Sequence, residues 1–165
     1  MNALADRLRP IWPLLTLLAS AAMLAAAHFY FQRFLGLAPC PLCLDQRNWH
    51  WSVVGVSVLA LLVVRWKPGL LRGAVLIIGL VLLGSAAQGA YHVAVEQHWV
   101  IAQCDARLAA GDIRPLDFDG SFEVPNCDEI AWSMWGISMA GWNALISLLL
   151  ALASLAVAVL PGRKP

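Results

Sequence analysis

The sequence predicts an all-α membrane protein, a four-helix bundle whose two extracytoplasmic loops carry every cysteine. Hydrophobic residues make up 61% of the 165 residues and charged residues only 13%, far from the composition of soluble domains. Only helices and closed barrels satisfy their backbone groups in lipid, and a helix needs about 20 apolar residues to cross. Four long segments contain no charge: 11–31, 49–64, 74–95 and 136–160. The segment 49–64 is the marginal case, since it is shorter than a full span and must borrow residues from its flanks.

The predicted elements follow one another in a single integral membrane domain, residues 1–165. Pro13 lies in the first turn of the first helix, where proline is tolerated. The second helix has the shortest apolar run, so its polar first turn is expected at headgroup level. The helices are predicted at about 11–31, 44–64, 70–95 and 136–160, and the outer loops at 32–48 and 96–135.

Small residues recur four positions apart in the last two helices, and this spacing predicts close helix packing in lipid. The loop 96–135 is long for a simple connection and is punctuated by glycine and proline. We therefore expect a functional or cross-linked loop without continuous secondary structure. The small pairs are Ser85 and Gly89, Ser147 and Ala151, and Ser154 and Ala158.

Basic residues predict the orientation of the helices. Seven of the eleven Lys and Arg residues lie in the two terminal tails and the loop 65–73, where Asp6 is the one acidic residue. The positive-inside rule therefore places both termini in the cytoplasm and the loops 32–48 and 96–135 outside. Six of the eight tryptophans lie near the outer helix ends, which is typical of an interfacial belt: Trp49, Trp51, Trp99, Trp132, Trp135 and Trp142.

The N-terminus allows a second interpretation. Arg7 and Arg9, the apolar run that follows and the small residues 25–27 would also fit a cleaved signal peptide. Cleavage would leave three spans in the same orientation. The run continues through Phe31 and is longer than a usual signal core, so we favour an uncleaved helix.

Charged and histidine residues are absent from the deep parts of the predicted helices, and this disfavours an ion pathway or a transporter. His92 lies near the outer end of the third helix. We interpret His28, His50 and His98 as surface or belt residues.

The four cysteines are Cys40, Cys43, Cys104 and Cys127, and all lie in the two outer loops. An even number on the oxidising side of a membrane predicts two disulfides, for which three pairings exist. The tight turn favours Cys40–Cys43 and leaves Cys104–Cys127 to close the long loop. A purely structural staple would contribute about 3 kcal/mol. We expect no metal site, because only one Cys-x-x-Cys is present.

The beginning of the second helix indicates redox chemistry. Pro41 suits the first helical position, which makes Cys40 the helix cap and places Cys43 in the first turn at the positive end of the dipole. Arg47 lies four residues further and shares a face with Cys43. A thiol beside a helix N-terminus and an arginine readily forms thiolate, so the stretch predicts thiol–disulfide exchange at the membrane surface.

These motifs together resemble the disulfide bond formation protein B (DsbB) family. The segment 40–47, Cys-Pro-Leu-Cys-Leu-Asp-Gln-Arg, is similar to its first-loop motif, and 91–97 resembles the end of its third helix. The stretch from Cys127 to Asn143 is similar to its entry into the fourth helix. Ala140-Gly141 replaces the more usual Met-Pro step, and the Cys104–Cys127 loop is shorter than in the best-known members.

The resemblance implies a multi-pass protein of the bacterial inner membrane with periplasmic cysteine loops. Such a protein oxidises a periplasmic DsbA-like thiol oxidase and passes the electrons to ubiquinone or menaquinone in the membrane, without a nucleic-acid partner. The partner's thiolate would attack Cys104, and a freed loop thiolate would attack the Cys40–Cys43 pair. Cys43 would then be a thiolate beside the quinone, with Arg47 and His92 as quinone contacts.

Two alternatives remain open at this point. A vitamin K epoxide reductase-like enzyme also combines four helices, a Cys-x-x-Cys and quinone, although its motif belongs near the last helix of the core. A disulfide-stapled membrane scaffold or assembly subunit would use the same cysteines without redox turnover.

Overall fold

The structure is a computed structural model that describes residues 7–101 and 125–160. Its main elements are four helices: α1 (Trp12–Ala25), α2 (Pro41–Trp66), α3 (Leu71–Glu96) and α4 (Met139–Val159). A π-helical segment, Ala26–Phe34, continues α1, and a 3-10 turn, Pro68–Leu70, precedes α3. Two short strands, β1 (Ser133–Met134) and β2 (Ile137–Ser138), pair before α4.

The four helices, extended by the π segment and the 3-10 turn, are each long and apolar enough to cross a membrane. The prediction of an all-α membrane four-helix bundle is therefore confirmed. Helices α3 and α4 form the most extensive interface, and α2 packs against both α1 and α3. A buried cluster fills the middle of the bundle: Val53, Ala60, Ile78, Leu82 and Ala151.

Helix α2 begins at Pro41, three residues before the predicted start at 44. Cys40 is the N-cap, with extended backbone angles of φ −73° and ψ 164°, and its Sγ accepts the Cys43 N–H at 3.1 Å. The prediction of Cys40 as the cap and Pro41 as the first helical residue is confirmed. The helix starts early because the cysteine cap and the proline together satisfy its first turn.

Helix α4 begins at Met139, three residues after the predicted start, because a hairpin occupies the intervening positions. Trp135 and Gly136 both have positive φ, 54° and 78°, as a two-residue type I′ turn requires. Ser138 then caps the helix by accepting the Gly141 N–H at 3.1 Å. We expected no continuous secondary structure in the outer loop, so this hairpin is a feature that the sequence analysis missed.

The small residues of α3 and α4 allow these two helices to approach closely, as their spacing predicts. All six residues of the small pairs are buried. A Cβ on Gly89 would lie only 2.9 Å from the backbone nitrogen of Ala144. One turn away, the Ser85 and Ser147 hydroxyls hydrogen-bond at 3.1 Å, so the same interface carries a buried polar contact between helices.

Helix α1 is joined to the other helices by polar contacts along its length. Thr16 bonds to Ser57 of α2 at 3.1 Å, and Trp12 Nε1 donates to Ser154 of α4 at 2.9 Å. Just before α1, Arg9 donates to the carbonyls of Val157 at 3.0 Å and Leu160 at 2.7 Å, at the C-terminal end of α4. A cation at these carbonyls complements the negative end of the α4 dipole. The retention of α1 as an uncleaved helix stays a prediction.

Substitution of Gly89 by alanine is expected to destabilise the bundle. The added Cβ meets backbone atoms of α4 rather than a flexible side chain, and overpacking of this kind costs about 1–3 kcal/mol in unfolding free energy. Gly73→Ala is the matched control, because a Cβ at this position in α3 meets nothing within 4 Å. Thermal unfolding in detergent should give a lower Tm for Gly89→Ala only; equal Tm values would contradict the close approach.

Candidate active site

The Cys40–Cys43 disulfide closes the first turn of α2. Cys40 is only 5% exposed and packs in one buried cluster with Leu42, Val95 and Cys127, against which Cys43 also lies. The predicted pairing of Cys40 with Cys43 is thus found in the structure. Cys127 comes from the distant outer loop, so the fold brings both cysteine-bearing loops to the same place.

His92 of α3 lies beside this disulfide. It is 3% exposed, and its Nε2 lies 3.7 Å from Cys40 Sγ. Its Nδ1 lies 2.6 Å from Gln46 Nε2. An amide nitrogen can only donate, so Nδ1 is the acceptor and the ring proton is on Nε2, the nitrogen that lies beside the sulfur. His92 also has a hydrogen bond to the Cys127 backbone, and it therefore contacts both cysteine-bearing segments.

Arg47 bonds to the first helix rather than to Cys43. Its guanidinium donates to Gln32 Oε1 at 2.9 Å and to the Ala27 carbonyl at 3.1 Å. Our expectation that Cys43 is its partner is not met in the disulfide state, because a sulfur bonded to sulfur carries no charge to attract the guanidinium. Ala27 and Gln32 are five residues apart, which is the hydrogen-bond spacing of a π-helix, so the π segment brings two acceptors to Arg47.

His50 is buried in the bundle, and the interpretation of this residue as a surface or belt residue is wrong. It is 3% exposed; its Nδ1 lies 3.3 Å from Ser20 Oγ, and its Nε2 lies 2.7 Å from Asn143 Oδ1. Seven residues separate His50 from Cys43, which is nearly two helical turns and places both on one face. That spacing was a signal in the sequence that could have identified it.

Glu96 is a further buried polar residue that the sequence analysis did not assign to the site. It ends α3, is 8% exposed, and accepts a hydrogen bond from the hydroxyl of Ser138, the α4 N-cap. The pair joins the C-terminal end of α3 to the N-terminal end of α4. No local signal predicts this pair, because the contact spans 42 positions and depends on how the hairpin turns the chain.

A cavity of about 300 Å³ connects these groups. This volume is at the lower end of the range for small-molecule sites, and such sites combine apolar walls with a few polar groups. Its polar wall residues include Gln46, Arg47, His50, His92, Glu96 and Asn143. Its larger apolar wall residues are Met23, Leu24, Phe31, Trp132, Met134, Met139, Trp142 and Ile146, and both sulfurs of the Cys40–Cys43 pair belong to residues of the wall.

The sulfurs of Cys40 and Cys43 and a ring nitrogen of His92 lie within 4.8 Å of one another, close enough for three ligands of one metal ion. In the structure the two sulfurs are bonded to each other. Thiolates, not disulfide sulfurs, bind metals, so the disulfide form cannot use this set as a metal site.

The fold thus brings together most of the residues that the sequence singled out. Cys40, Cys43, Arg47 and His92 line the cavity, and Cys127 lies beside it. Cys127 is also in the disulfide state, whereas its predicted partner, Cys104, lies outside the described residues. His28 and His98 are exposed, as expected.

A multi-pass membrane bundle in which a Cys-x-x-Cys disulfide lines an apolar cavity defines a membrane disulfide oxidoreductase. Comparison with known proteins supports this class. The family model described as "Disulfide bond formation protein DsbB" matches residues 9–157. The chain therefore belongs to the DsbB family, whose members are membrane disulfide oxidases.

Individual relatives agree with the family assignment. The chain is 36% identical over 156 residues to the disulfide bond formation protein B of Albidiferax ferrireducens, covering 85% of this chain and 82% of that protein. It is 35% identical over 160 residues to the protein of the same name from Pasteurella multocida, covering 87% and 84%. No solved structure matches the chain.

The resting protein is expected to contain two disulfides, Cys40–Cys43 and Cys104–Cys127. The first is in the structure, and Cys127 is disulfide-bonded, which leaves Cys104 as its expected partner in a chain with four cysteines. Peptide mapping without reduction should recover both links. A Cys40–Cys104 link as the dominant resting form would overturn this pairing.

Proposed function

We propose that this protein reoxidises a periplasmic DsbA-like dithiol oxidase and passes the electrons to membrane quinone, either ubiquinone or menaquinone. In this proposal the chain is a single inner-membrane domain with both cysteine loops in the periplasm and both termini in the cytoplasm. One observation carries it: the Cys40–Cys43 disulfide forms part of the wall of an apolar cavity. A structural staple has no need of a cavity beside its sulfurs.

The residues of the cavity fit a quinone headgroup. Its apolar and aromatic walls, among them Phe31, Trp132 and Trp142, suit a flat hydrophobic ring. Arg47 and His92 can donate to ring oxygens beside Cys43. A bound quinone would supply the acceptor for two electrons and two protons. The same walls keep water away from Cys43 and favour electron transfer over hydrolytic side reactions.

The first exchange takes place in the long loop. The partner's thiolate attacks Cys104, the Cys104–Cys127 bond breaks, and Cys127 leaves as a thiolate. Cys127 is buried in one cluster with Cys40, so its thiolate can attack Cys40 and release Cys43 as a thiolate. The partner's second thiolate displaces Cys104, which then displaces Cys40 from Cys127. The partner leaves oxidised, the loop disulfide is restored, and Cys40 and Cys43 hold the two electrons.

Three features of the chain stabilise the reduced pair. The Cys43 thiolate would lie in the first turn of α2, among N–H groups at the positive end of the dipole. His92 Nε2 lies 3.7 Å from Cys40 Sγ and can donate to the negative sulfur that forms there. Arg47, one turn from Cys43, supplies a positive charge on the cavity wall. The leaving thiolate is therefore stabilised where it forms, which favours breaking the disulfide.

The proposal is tested by quinone-dependent oxidation of a reduced DsbA-like protein, assayed in detergent with ubiquinone and menaquinone in parallel. We expect turnover with at least one of them, measured as quinone reduction and as loss of the partner's free thiols. A scaffold held together by disulfides predicts no turnover with either quinone, and that result would contradict the proposed activity.

The two disulfides are expected to divide the work. Cys104→Ser and Cys127→Ser each remove the disulfide that the partner attacks, so oxidation of the protein partner should fall by at least about 100-fold, as for loss of a reacting group. The Cys40–Cys43 pair should still pass electrons from a small dithiol to quinone. Wild-type rates with the protein partner in both variants would show that the relay order is wrong.

Arg47 is expected to act on quinone rather than on thiol exchange in the loop. Loss of a charged hydrogen bond costs about 1.5–3 kcal/mol, so Arg47→Ala should raise the quinone KM by about 10- to 100-fold. Arg47→Lys should rescue only in part, because lysine lacks the planar fork that reaches two acceptors. Arg33→Ala is the matched control, since Arg33 is exposed and is not among the cavity residues.

The loop reaction provides the internal check for these variants. Exchange between the partner and Cys104–Cys127, followed in a single turnover without quinone, should be unchanged in Arg47→Ala. An unchanged quinone KM in Arg47→Ala would contradict a role in quinone binding. Arg47 would then only hold α2 against the π segment, and its loss would change only the Tm.

A further inference from the structure

A buried polar chain crosses the bundle at the inner end of the cavity. It runs from Ser20 of α1 to His50 of α2 and on to Asn143 of α4, with distances of 3.3 Å and 2.7 Å. His50 and Asn143 both line the cavity. Their exposed fractions are 3% and 7%. Nothing in the proposed relay uses any of these three residues.

The chain of hydrogen bonds determines which groups donate. Asn143 Oδ1 can only accept, so His50 Nε2 carries the ring proton and donates to it. His50 Nδ1 is then an acceptor, which matches the hydroxyl of Ser20. With its oxygen held by His50, Asn143 presents Nδ2 as its remaining group. This nitrogen is buried and has no hydrogen-bond partner among the described residues.

An unpartnered amide nitrogen is costly at this depth. A buried donor without an acceptor costs about 1–3 kcal/mol in unfolding free energy, and lipid offers no partner. Most buried polar groups in proteins do have partners, so each exception calls for an explanation. Nδ2 itself has almost no accessible surface, but Asn143 is a residue of the cavity wall. A shift of the neighbouring wall residues on ligand binding would bring an acceptor atom of the ligand to this nitrogen.

With Asn143, the cavity has polar groups at two positions along the axis of α2, which we call the outer and the inner level. Cys43, Arg47 and His92 lie at the outer level. His50 lies three residues beyond Arg47 on α2, roughly 4.5 Å further along the helix axis at 1.5 Å per residue. A ligand with hydrogen-bond acceptors on opposite edges of an apolar ring would engage both levels. A 1,4-quinone has this arrangement of acceptors.

We propose that Asn143 is a second quinone-binding residue, whose Nδ2 donates to the ring oxygen opposite the one that faces Arg47. His50 is a positioning residue that donates to Asn143 Oδ1 and so holds the amide in this orientation, and the hydroxyl of Ser20 donates to His50 Nδ1. This inference rests on the proposed quinone function and extends it from one end of the ring to both. Three helices, α1, α2 and α4, would then fix the ring in the cavity.

The test measures quinone binding directly rather than turnover. Trp132 and Trp142 lie on the cavity wall, so a short-chain ubiquinone titrated into the purified protein should quench their fluorescence and give a Kd. Asn143→Leu and Asn143→Ala each remove the donor, the first with little change in side-chain volume and the second without added bulk. Loss of one neutral hydrogen bond predicts an increase in Kd of about 3- to 10-fold in each variant.

Ser147→Ala is the matched control. Ser147 lies one turn further along α4, is fully buried and bonds to Ser85, but is not among the cavity residues. Its Kd should equal that of the wild type, and Tm values should be recorded for all variants. His50→Leu should also raise the Kd, by a smaller factor, because the amide remains but is free to rotate.

The outcomes separate the two proposals. Wild-type binding together with an unchanged Kd in both Asn143 variants would overturn the role of Asn143 and leave the quinone function intact. If the wild-type protein binds neither a ubiquinone nor a menaquinone, both the role of Asn143 and the quinone function are overturned. A lower Tm with an unchanged Kd would show that the Ser20–His50–Asn143 chain only holds the helices together.

Discussion

The structure depends on the requirement that polar groups within lipid find partners inside the protein. Each helix contributes small polar side chains that reach a neighbouring helix, as Thr16 does to Ser57 and Ser85 does to Ser147. These contacts are short, so the helices must approach closely, and residues such as Gly89 make that approach possible. Close packing in the middle of the bundle leaves the cavity at the end where α2 begins, and the two histidines, the arginine and the disulfide lie there.

Helix α2 shows how one sequence pattern serves both packing and chemistry. Its buried residues recur every three or four positions from Leu42 to Ala60, which is the stripe expected of a packed helix. Near the N-terminal end of α2 that stripe contains Gln46 and His50 instead of aliphatic residues. The same stripe of residues that packs α2 against its neighbours therefore forms part of the cavity wall at Gln46 and His50. The stripe ends at Cys40, the N-cap.

The sequence was sufficient for the fold class and for the cap of α2, because both depend on local signals, although the predicted bounds began the helix three residues too late. Long uncharged segments indicate spans, and a proline after a cysteine indicates a cap. The hydrogen-bond partners of Arg47 and His50 could not be predicted from the sequence. Helical spacing shows which residues share a face but not which neighbour that face meets. The acceptors of Arg47 depend on a change from α- to π-helix after Ala25, and the residues 26–34 carry no proline or glycine that would indicate it.

The position of His50 shows why the interpretation of a histidine as a surface or interfacial residue can fail in a membrane protein. A histidine near a helix end is commonly interfacial, and exposure would have required no partner. Burial requires two, and Ser20 and Asn143 supply them from two other helices. Those partners lie 30 and 93 positions away in the chain, so no window of the sequence contains the network. The same arrangement leaves an amide donor at the inner end of a cavity whose outer end holds the disulfide, so the polar interactions that hold the helices together also shape the site.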